Sequence, residues 1–213
     1  MSLERLNHIH HFDHKTGVAT MGPAVLVQQV LDKILVPFSH CGTIGGCSGV
    51  AEGGFGLSGG WGILAREYGL GVDSIRSLRA VLADGAVVAA REDNEYADLF
   101  WALRGAGGGS YAVVTAMAYQ FCPALDQVVL VSGQVHLAAM AATMVAIGKR
   151  DGSIPGKISF AIDGGVNQHG KTGVLLTAVG ADPDELKFGE QFVRKEMEPL
   201  FPSNTSLSYD RLS

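Results

Sequence analysis

The sequence predicts an α+β fold in two parts, on three observations. A β-hairpin is expected around the turn Asp84-Gly85, because this dipeptide between apolar runs is typical of tight hairpins. An amphipathic helix is expected over 183–198, where apolar residues recur at helical spacing. The pattern of predicted strands and helices changes after Pro123, and this proline ends a strand-like run. The predicted domains are therefore residues 1–122 and 123–213.

Each part mixes short strands and helices. In the first part we predict a loosely alternating strand over 3–9, a strand over 17–21, a helix over 24–35, a short helix over 62–70, hairpin strands over 75–81 and 86–90, a helical turn over 97–104 and a strand over 113–121. In the second part we predict strands over 128–135, 158–162 and 173–179 and helices over 137–147 and 183–198.

Composition argues against two classes of partner. The chain has 16 Lys and Arg against 21 Asp and Glu, with no basic cluster, so nucleic acid is not expected as a main partner. The apolar stretch Leu137–Ile147 is too short to cross a bilayer, so no membrane partner is expected. No basic segment followed by an apolar one opens the chain, so no signal peptide is visible. The compartment stays open, since a longer parent protein could be secreted.

Glycine is the anomaly of this composition. It supplies 29 of 213 residues, roughly twice the ordinary usage. Ten of the 21 residues from Gly42 to Gly62 are glycine, and because glycine destabilises helices and strands, we predict that this segment is a loop. Glycine lets backbone lie flush against a flat or phosphate-bearing ligand. The bulky apolar residues in the segment argue against a flexible linker.

One literal motif in this segment competes with that interpretation. Residues 54–59, GFGLSG, satisfy the G-x-G-x-x-G pattern of nicotinamide-binding Rossmann proteins, and Asp73 follows at about the spacing of a ribose-binding acid. The pattern should come directly after a buried β-strand, but residues 49–53 are more of the glycine-rich segment. A Rossmann unit is therefore kept only as an alternative.

Histidines and cysteines do not make a recognisable metal or nucleophile set in the sequence. The four histidines between His8 and His14 lie in a predicted strand and turn, and no carboxylate or cysteine completes a zinc set, so we expect exposed residues on an edge strand and no metal. Cys41, Cys47 and Cys122 are too few for a disulfide framework. Their spacing permits a Cys41–Cys47 bridge without requiring one.

Residues 42–122 together are more specific than any one motif. They resemble the second half of the PCMH-type FAD-binding domain in FAD-linked oxidoreductases of the vanillyl-alcohol-oxidase superfamily, closest to the berberine-bridge-enzyme-like branch. Residues 3–35 resemble the strand and helix that lead into that part. The resemblance rests on five phrases in one order: GGCSGVAEGGFGLSGGWG (45–62), AREYGLGVDS (65–74), VLADG (81–85), DLFWALRG (98–105) and GGGSYAVVT (107–115).

The resemblance implies FAD as cofactor and indicates which residues line it. Cys47 occupies the position of a cysteine that bonds covalently to the flavin ring in some members; a tether and a small buried residue stay open as alternatives. No metal ion is implied, and no residue is assigned as catalytic base. The residues implied to contact FAD are Cys47, Val50, Ala51, Gly53, Gly54, Ser58, Gly59, Gly60 and Gly62, with Val113 and Val114 near the adenine end.

The sequence also departs from the family pattern. Ala51 and Ser58 replace usual glycines, Ser110 and Ala112 replace the usual Asn and Gly, and Glu52 would put a charge near the cofactor unless it points away. The family's earlier R-S-G-G-H phrase and its C-terminal tyrosine-rich region do not occur. We therefore expect a chain truncated at both ends: the second subdomain of the FAD-binding domain, then part of an α+β substrate-binding domain.

The resemblance implies an FAD-dependent oxidoreductase that acts on a small molecule. Hydride would pass from a carbon bearing a hydroxyl or amine to flavin N5, with molecular oxygen as the acceptor. The alternative is a truncated, catalytically inactive remnant that does not retain FAD. Because a missing subdomain would remove phosphate contacts, we predict that the isolated chain binds free FAD weakly or not at all.

Overall fold

The protein forms two compact units that divide after Ala124. The computed structural model describes residues 2–124, 127–155, 158–166, 171–180, 183–203, 205 and 207–212. Each unit has its own sheet and its own hydrophobic core. The mixed helix-and-sheet class predicted from the sequence is confirmed.

A five-stranded antiparallel sheet forms the centre of the first unit. Its strands are β1 (Ile9–Asp13), β2 (Val18–Met21), β4 (Ile75–Val81), β5 (Val87–Ala90) and β6 (Val113–Gln120), and a separate two-stranded sheet is formed by β3 (His40–Cys41) and β7 (Cys122–Pro123). In the large sheet the strand order is β1-β2-β6-β4-β5. All four strand pairs in it are antiparallel.

Short helices complete the core of this unit. They are α1 (Val27–Val30), a π-helical turn (Leu31–Leu35), α2 (Val36–Phe38), α3 (Glu52–Leu57), α4 (Ala65–Tyr68), a 3₁₀ turn (Gly71–Ser74) and α5 (Ala97–Leu103). Helix residues such as Ile34 and Leu103 are buried in one cluster with sheet residues such as Leu78 and Met117. The helix predicted over 24–35 and the hairpin at Asp84-Gly85 are confirmed.

The first strand lies later in the chain than the sequence suggested. The strand predicted over 3–9 is wrong, because the first strand is β1. The turn after it sets its position: the Asp13 carboxylate accepts hydrogen bonds from the Lys15 amide at 3.0 Å and the Thr16 hydroxyl at 2.9 Å. Gly17 closes the turn at φ +73°, in the left-handed region that favours glycine. This hairpin pairs Phe12 with Ala19.

The first glycine segment is not a loop throughout. The prediction of loop from Gly42 to Gly62 is wrong at α3, which contains three glycines. A Cβ at Gly53 would lie 2.4 Å from Pro23 Cβ, and one at Gly56 would lie 3.3 Å from Ile75 Cδ1. Close packing therefore explains why two of these glycines sit in a helix, in spite of their low helix propensity.

The second unit is a four-stranded antiparallel sheet with two longer helices. The sheet order is β11-β8-β10-β9, with β8 (Gln127–His136), β9 (Ile158–Val166), β10 (Lys171–Gly180) and β11 (Leu207–Leu212). The helices are α6 (Leu137–Gly148) and α7 (Pro183–Phe192), and a π-helical turn (Val193–Met197) follows α7. Every strand and helix predicted after Pro123 occurs, but β11 was missed. No helix among the described residues combines the length and apolar character that a membrane crossing requires.

Candidate functional site

One groove in the first unit is lined by two glycine-rich segments: the first is residues 42–62, and the second is the glycine run 105–109 with the residues that follow it up to Val114. Its volume is about 390 Å³. The first segment contributes the start of α3 and the second contributes the start of β6, so two distant parts of the chain build one surface. The lining residues are Ala51, Gly53, Gly54 and Leu57 from the first, Gly108, Gly109, Val113 and Val114 from the second, and Leu3, Glu4, Pro23 and Ala24 from the N-terminal region.

Backbone hydrogen bonds hold the first glycine segment against the start of α1. The Val27 amide donates to the Val50 carbonyl at 2.9 Å, and the Glu52 amide donates to the Val25 carbonyl at 2.8 Å. The Gly53 amide donates to the Pro23 carbonyl, also at 2.8 Å. Because main-chain groups make these bonds, this edge of the groove does not depend on side-chain identity.

The Leu57 carbonyl joins the two segments. It accepts hydrogen bonds from the Gly105 amide at 3.0 Å and the Gly107 amide at 2.9 Å. Gly105 and Gly107 have φ values of +117° and +84°, which side chains rarely tolerate. The second loop therefore takes the shape that reaches Leu57 because glycine stands at these two positions.

The glycines that line the groove have two different roles. A Cβ at Gly54, Gly108 or Gly109 would have no atom within 4 Å, so these backbones border open space. Gly53, in contrast, packs on Pro23, and a Cβ at Gly62 would lie 2.6 Å from the Ile44 carbonyl oxygen. The first group fits a cradle that a ligand can approach closely, as a flavin nucleotide requires, and the second group serves internal packing.

The structure brings together about half of the residues predicted to line FAD. Ala51, Gly53, Gly54, Val113 and Val114 all border the groove. Sequence reasoning missed Leu57 and the N-terminal residues as part of its wall. It also missed Gly108 and Gly109, although their place in a glycine run was a signal that could have identified them.

The other predicted residues lie outside the groove lining. Cys47 is exposed at the start of a turn in which the Val50 amide donates to the Cys47 carbonyl at 3.1 Å, so Cys47 is not the small buried residue considered as an alternative. Ser58 is exposed, and Gly59 and Gly60 follow α3 with positive φ. Gly62 is buried against Ile44. For all of the predicted residues, contact with FAD stays a prediction.

Glu52 points into the protein rather than into the groove. It is fully buried, and neither carboxyl oxygen has a hydrogen-bond partner among the described residues. This burial raises the pKa of the Glu52 carboxyl from 4.5 to about 8, so the group is mostly neutral at pH 7. Tyr119 is also buried, and its hydroxyl donates to the Thr43 carbonyl at 2.6 Å. The charge that the sequence suggested near a cofactor is therefore mostly neutralised at pH 7.

The structure does not provide the context of a Rossmann motif. Residues 54–59 span the end of α3 and the turn after it, rather than the junction of a parallel strand and a helix. The sheet of this unit is antiparallel throughout its described pairs. Asp73, the candidate ribose-binding acid, instead accepts a hydrogen bond from the Leu70 amide at 2.9 Å and lies 3.8 Å from Arg104 Nη2. The nicotinamide alternative is therefore not supported.

The histidine-rich start of the chain follows the edge of the large sheet. His10 and His11 lie on β1, the edge strand, and His14 lies in the turn after it. His14 stacks on Phe38, with ring centroids 5.9 Å apart. Among the residues that the structure describes, no three His, Cys, Asp or Glu side chains are grouped as a metal ion would need.

The antiparallel α+β unit with a glycine-lined groove fits a protein that binds a flat or phosphate-bearing ligand. A family model described as an FAD binding domain matches residues 1–91. A xylooligosaccharide oxidase of Thermothelomyces thermophilus is 35% identical over 120 residues, which cover 56% of this chain. The chain is therefore similar to FAD-linked oxidoreductases, as the resemblance of its glycine segments indicated.

Solved structures share the fold along nearly the whole chain. A xylooligosaccharide oxidase from Myceliophthora thermophila in complex with xylobiose superposes with a TM-score of 0.82 at 25% identity, over 99% of this chain and 43% of that one. A glucooligosaccharide oxidase from Acremonium strictum with a 6-S-cysteinyl, 8α-N1-histidyl FAD has a TM-score of 0.82 at 23% identity, over 98% of this chain and 42% of that one. The chain spans 24% of the curated Thermothelomyces relative and less than half of these solved chains.

Proposed function

We propose that the chain forms one side of the FAD site of an oxidase that removes hydride from a carbon bearing a hydroxyl or amine. When bound, FAD supplies the acceptor for that hydride, and molecular oxygen is the final electron acceptor. The observation that carries the proposal is the groove shared by the two glycine segments. The names of the similar xylooligosaccharide and carbohydrate oxidases favour a hydroxyl-bearing carbon of a small molecule.

The chain's own residues would bind and orient the cofactor. The open backbones of Gly54, Gly108 and Gly109 allow a flat or phosphate-bearing group to approach to van der Waals distance. Leu57 and Val114 give the groove an apolar wall that limits the access of water. Because Leu57 also joins the two segments through its carbonyl, the wall and the cradle have a fixed relation to each other.

Cys47 is the residue that we propose as a covalent tether. Its thiol is exposed in the glycine segment, as a group that bonds to a ligand must be. The similar Acremonium oxidase carries a 6-S-cysteinyl flavin, and Cys47 is the cysteine within the first glycine segment of this chain. The bond would be a thioether between Cys47 Sγ and the flavin ring.

Titration of the purified protein with FAD tests the proposal. Because binding to the chain alone is expected to be weak, bound flavin is followed by fluorescence up to saturating FAD. Gly54→Leu should lose this binding, because Gly54 borders the groove and a Cβ there meets no atom within 4 Å. Gly148→Leu is the matched control, since Gly148 is also helical and open but belongs to the second unit. Pigment that survives acid precipitation, and that Cys47→Ala releases, would support the tether.

Two results would contradict the proposal. A folded wild-type protein that stays colourless at saturating FAD would favour the alternative, a chain that does not retain flavin. Equal retention of FAD by Gly54→Leu and Gly148→Leu would show that the cofactor does not use this groove.

A further inference from the structure

Two cysteines far apart in the chain face each other across a strand pair. In the antiparallel pair of β3 and β7, Cys41 lies directly opposite Cys122. Directly opposed residues of antiparallel strands have Cα atoms about 4.5–5.5 Å apart and side chains on one face. A disulfide accepts Cα separations of about 4.4–6.8 Å, so the backbone already meets this requirement.

The contacts of Cys41 place its sulfur beside the partner strand. Cys41 Sγ donates a hydrogen bond to the Pro123 carbonyl at 3.2 Å, next to Cys122. The Tyr68 hydroxyl hydrogen-bonds to Cys41, and Cys122 lies near enough to the same hydroxyl to help raise the pKa of Tyr68. Both cysteines are thiols and both are partly exposed, so a small oxidant can reach them.

We propose that Cys41 and Cys122 form a redox-sensitive dithiol that a peroxide converts to a disulfide. One thiolate attacks hydrogen peroxide: an S–O bond forms, the O–O bond breaks, and the released hydroxide takes a proton to give water. The second thiol then attacks the sulfenic sulfur: the S–S bond forms, the S–O bond breaks, and a second water leaves. Two thiols are oxidised and one peroxide is reduced to two waters, so atoms and electrons balance.

The disulfide would fix the start of the first glycine segment to the residues that follow β6. Cys41 comes directly before Gly42, where that segment begins, and Cys122 follows the end of β6 by two residues. The bond would therefore close a long loop that contains both glycine segments, and cross-links that close long loops stabilise most. Formation needs Cβ atoms within about 3.5–4.5 Å, so the two short strands draw together slightly.

Cys47 is not a competing partner in this geometry. It lies in the turn after Gly46, is exposed, and does not belong to either strand of the pair. The bridge between Cys41 and Cys47 that the spacing permits is therefore not the one that the register favours. This inference does not depend on whether the chain retains FAD.

Peroxide treatment followed by thiol alkylation and peptide mapping tests the inference. Hydrogen peroxide should remove two alkylatable thiols and yield one cross-linked pair of peptides, containing Cys41 and Cys122, which dithiothreitol reverses. The oxidised protein should melt about 10 °C higher than the reduced protein, as expected for a long loop. Cys47→Ser, the matched control, should give the same cross-link.

Single variants make the result decisive. Cys41→Ser should abolish the cross-link and leave a sulfenic acid on Cys122 that dimedone traps. A cross-link between Cys41 and Cys47, or oxidation of Cys41 and Cys122 to separate sulfinic acids with no cross-link, would overturn the proposal.

Discussion

Glu52 makes the stability of the first unit depend on pH, and Glu52→Gln should remove that dependence. The folded protein holds a proton on Glu52 up to about pH 8, whereas the unfolded chain releases it near pH 4.5. Between these values the folded state binds the additional proton, so stability is greatest below pH 4.5 and falls as pH rises. Above pH 8 the loss is complete.

The size of the effect follows from the displacement of the pKa. Each unit of pKa corresponds to about 1.4 kcal/mol, so the rise from 4.5 to about 8 amounts to about 5 kcal/mol across the whole window. Domains are stable by only about 5–15 kcal/mol, so this loss is a large share of the total. For a unit of this size the melting temperature should fall by about 15 °C between pH 5 and pH 8.

Thermal unfolding at half-unit steps from pH 5 to pH 9 measures the effect. The quantity of interest is the difference between wild type and Glu52→Gln, because all other titrating groups cancel in it. Glu52→Leu should be more stable than wild type at pH 8, since it replaces a buried carboxyl without hydrogen-bond partners. Parallel curves for wild type and Glu52→Gln would refute the reasoning, because they would show that Glu52 does not titrate between the two states.

Three other substitutions test the packing and hydrogen bonding of the first unit. Gly53→Ala should destabilise the protein by about 1–3 kcal/mol in urea unfolding, because its Cβ would clash with Pro23, whereas Gly54→Ala borders open space and should not destabilise it. Tyr119→Phe should cost about 1–3 kcal/mol by leaving the Thr43 carbonyl without its hydroxyl donor; unfolding indistinguishable from wild type would contradict the assigned hydrogen bond.

Local signals in the sequence predicted most of the strands and helices. The hairpin of β4 and β5 is an example, because its turn needs a positive φ and Gly85, at +87°, provides it. Helix α3 was missed because glycine propensity argues against a helix, while packing on Pro23 and Ile75 decides the matter. Propensity is a local quantity, and this contact joins segments that local reasoning treats separately.

In the candidate site, too, the sequence did not predict contacts between distant segments. Glycine content located both segments, but it did not show that Leu57 joins them or that Leu3 and Glu4 complete the groove. Nor does the sequence reveal that Cys41 pairs with Cys122, because register depends on how the ends of distant strands meet. Contacts of this kind arise from tertiary structure, so they could not be predicted from residue type and spacing.

The two roles of glycine explain why a high glycine count is a weak guide to a ligand site by itself. Glycine is needed at positions 53 and 62 because other parts of the protein pack against the backbone there. Substitution at either position should therefore damage folding before it affects any ligand. Gly54 and Gly108 have no such neighbour and no positive φ, so neither packing nor backbone conformation within the described structure requires glycine there. Substitution of Gly54 and Gly108, which border the open space of the groove, therefore separates the loss of binding from the loss of folding.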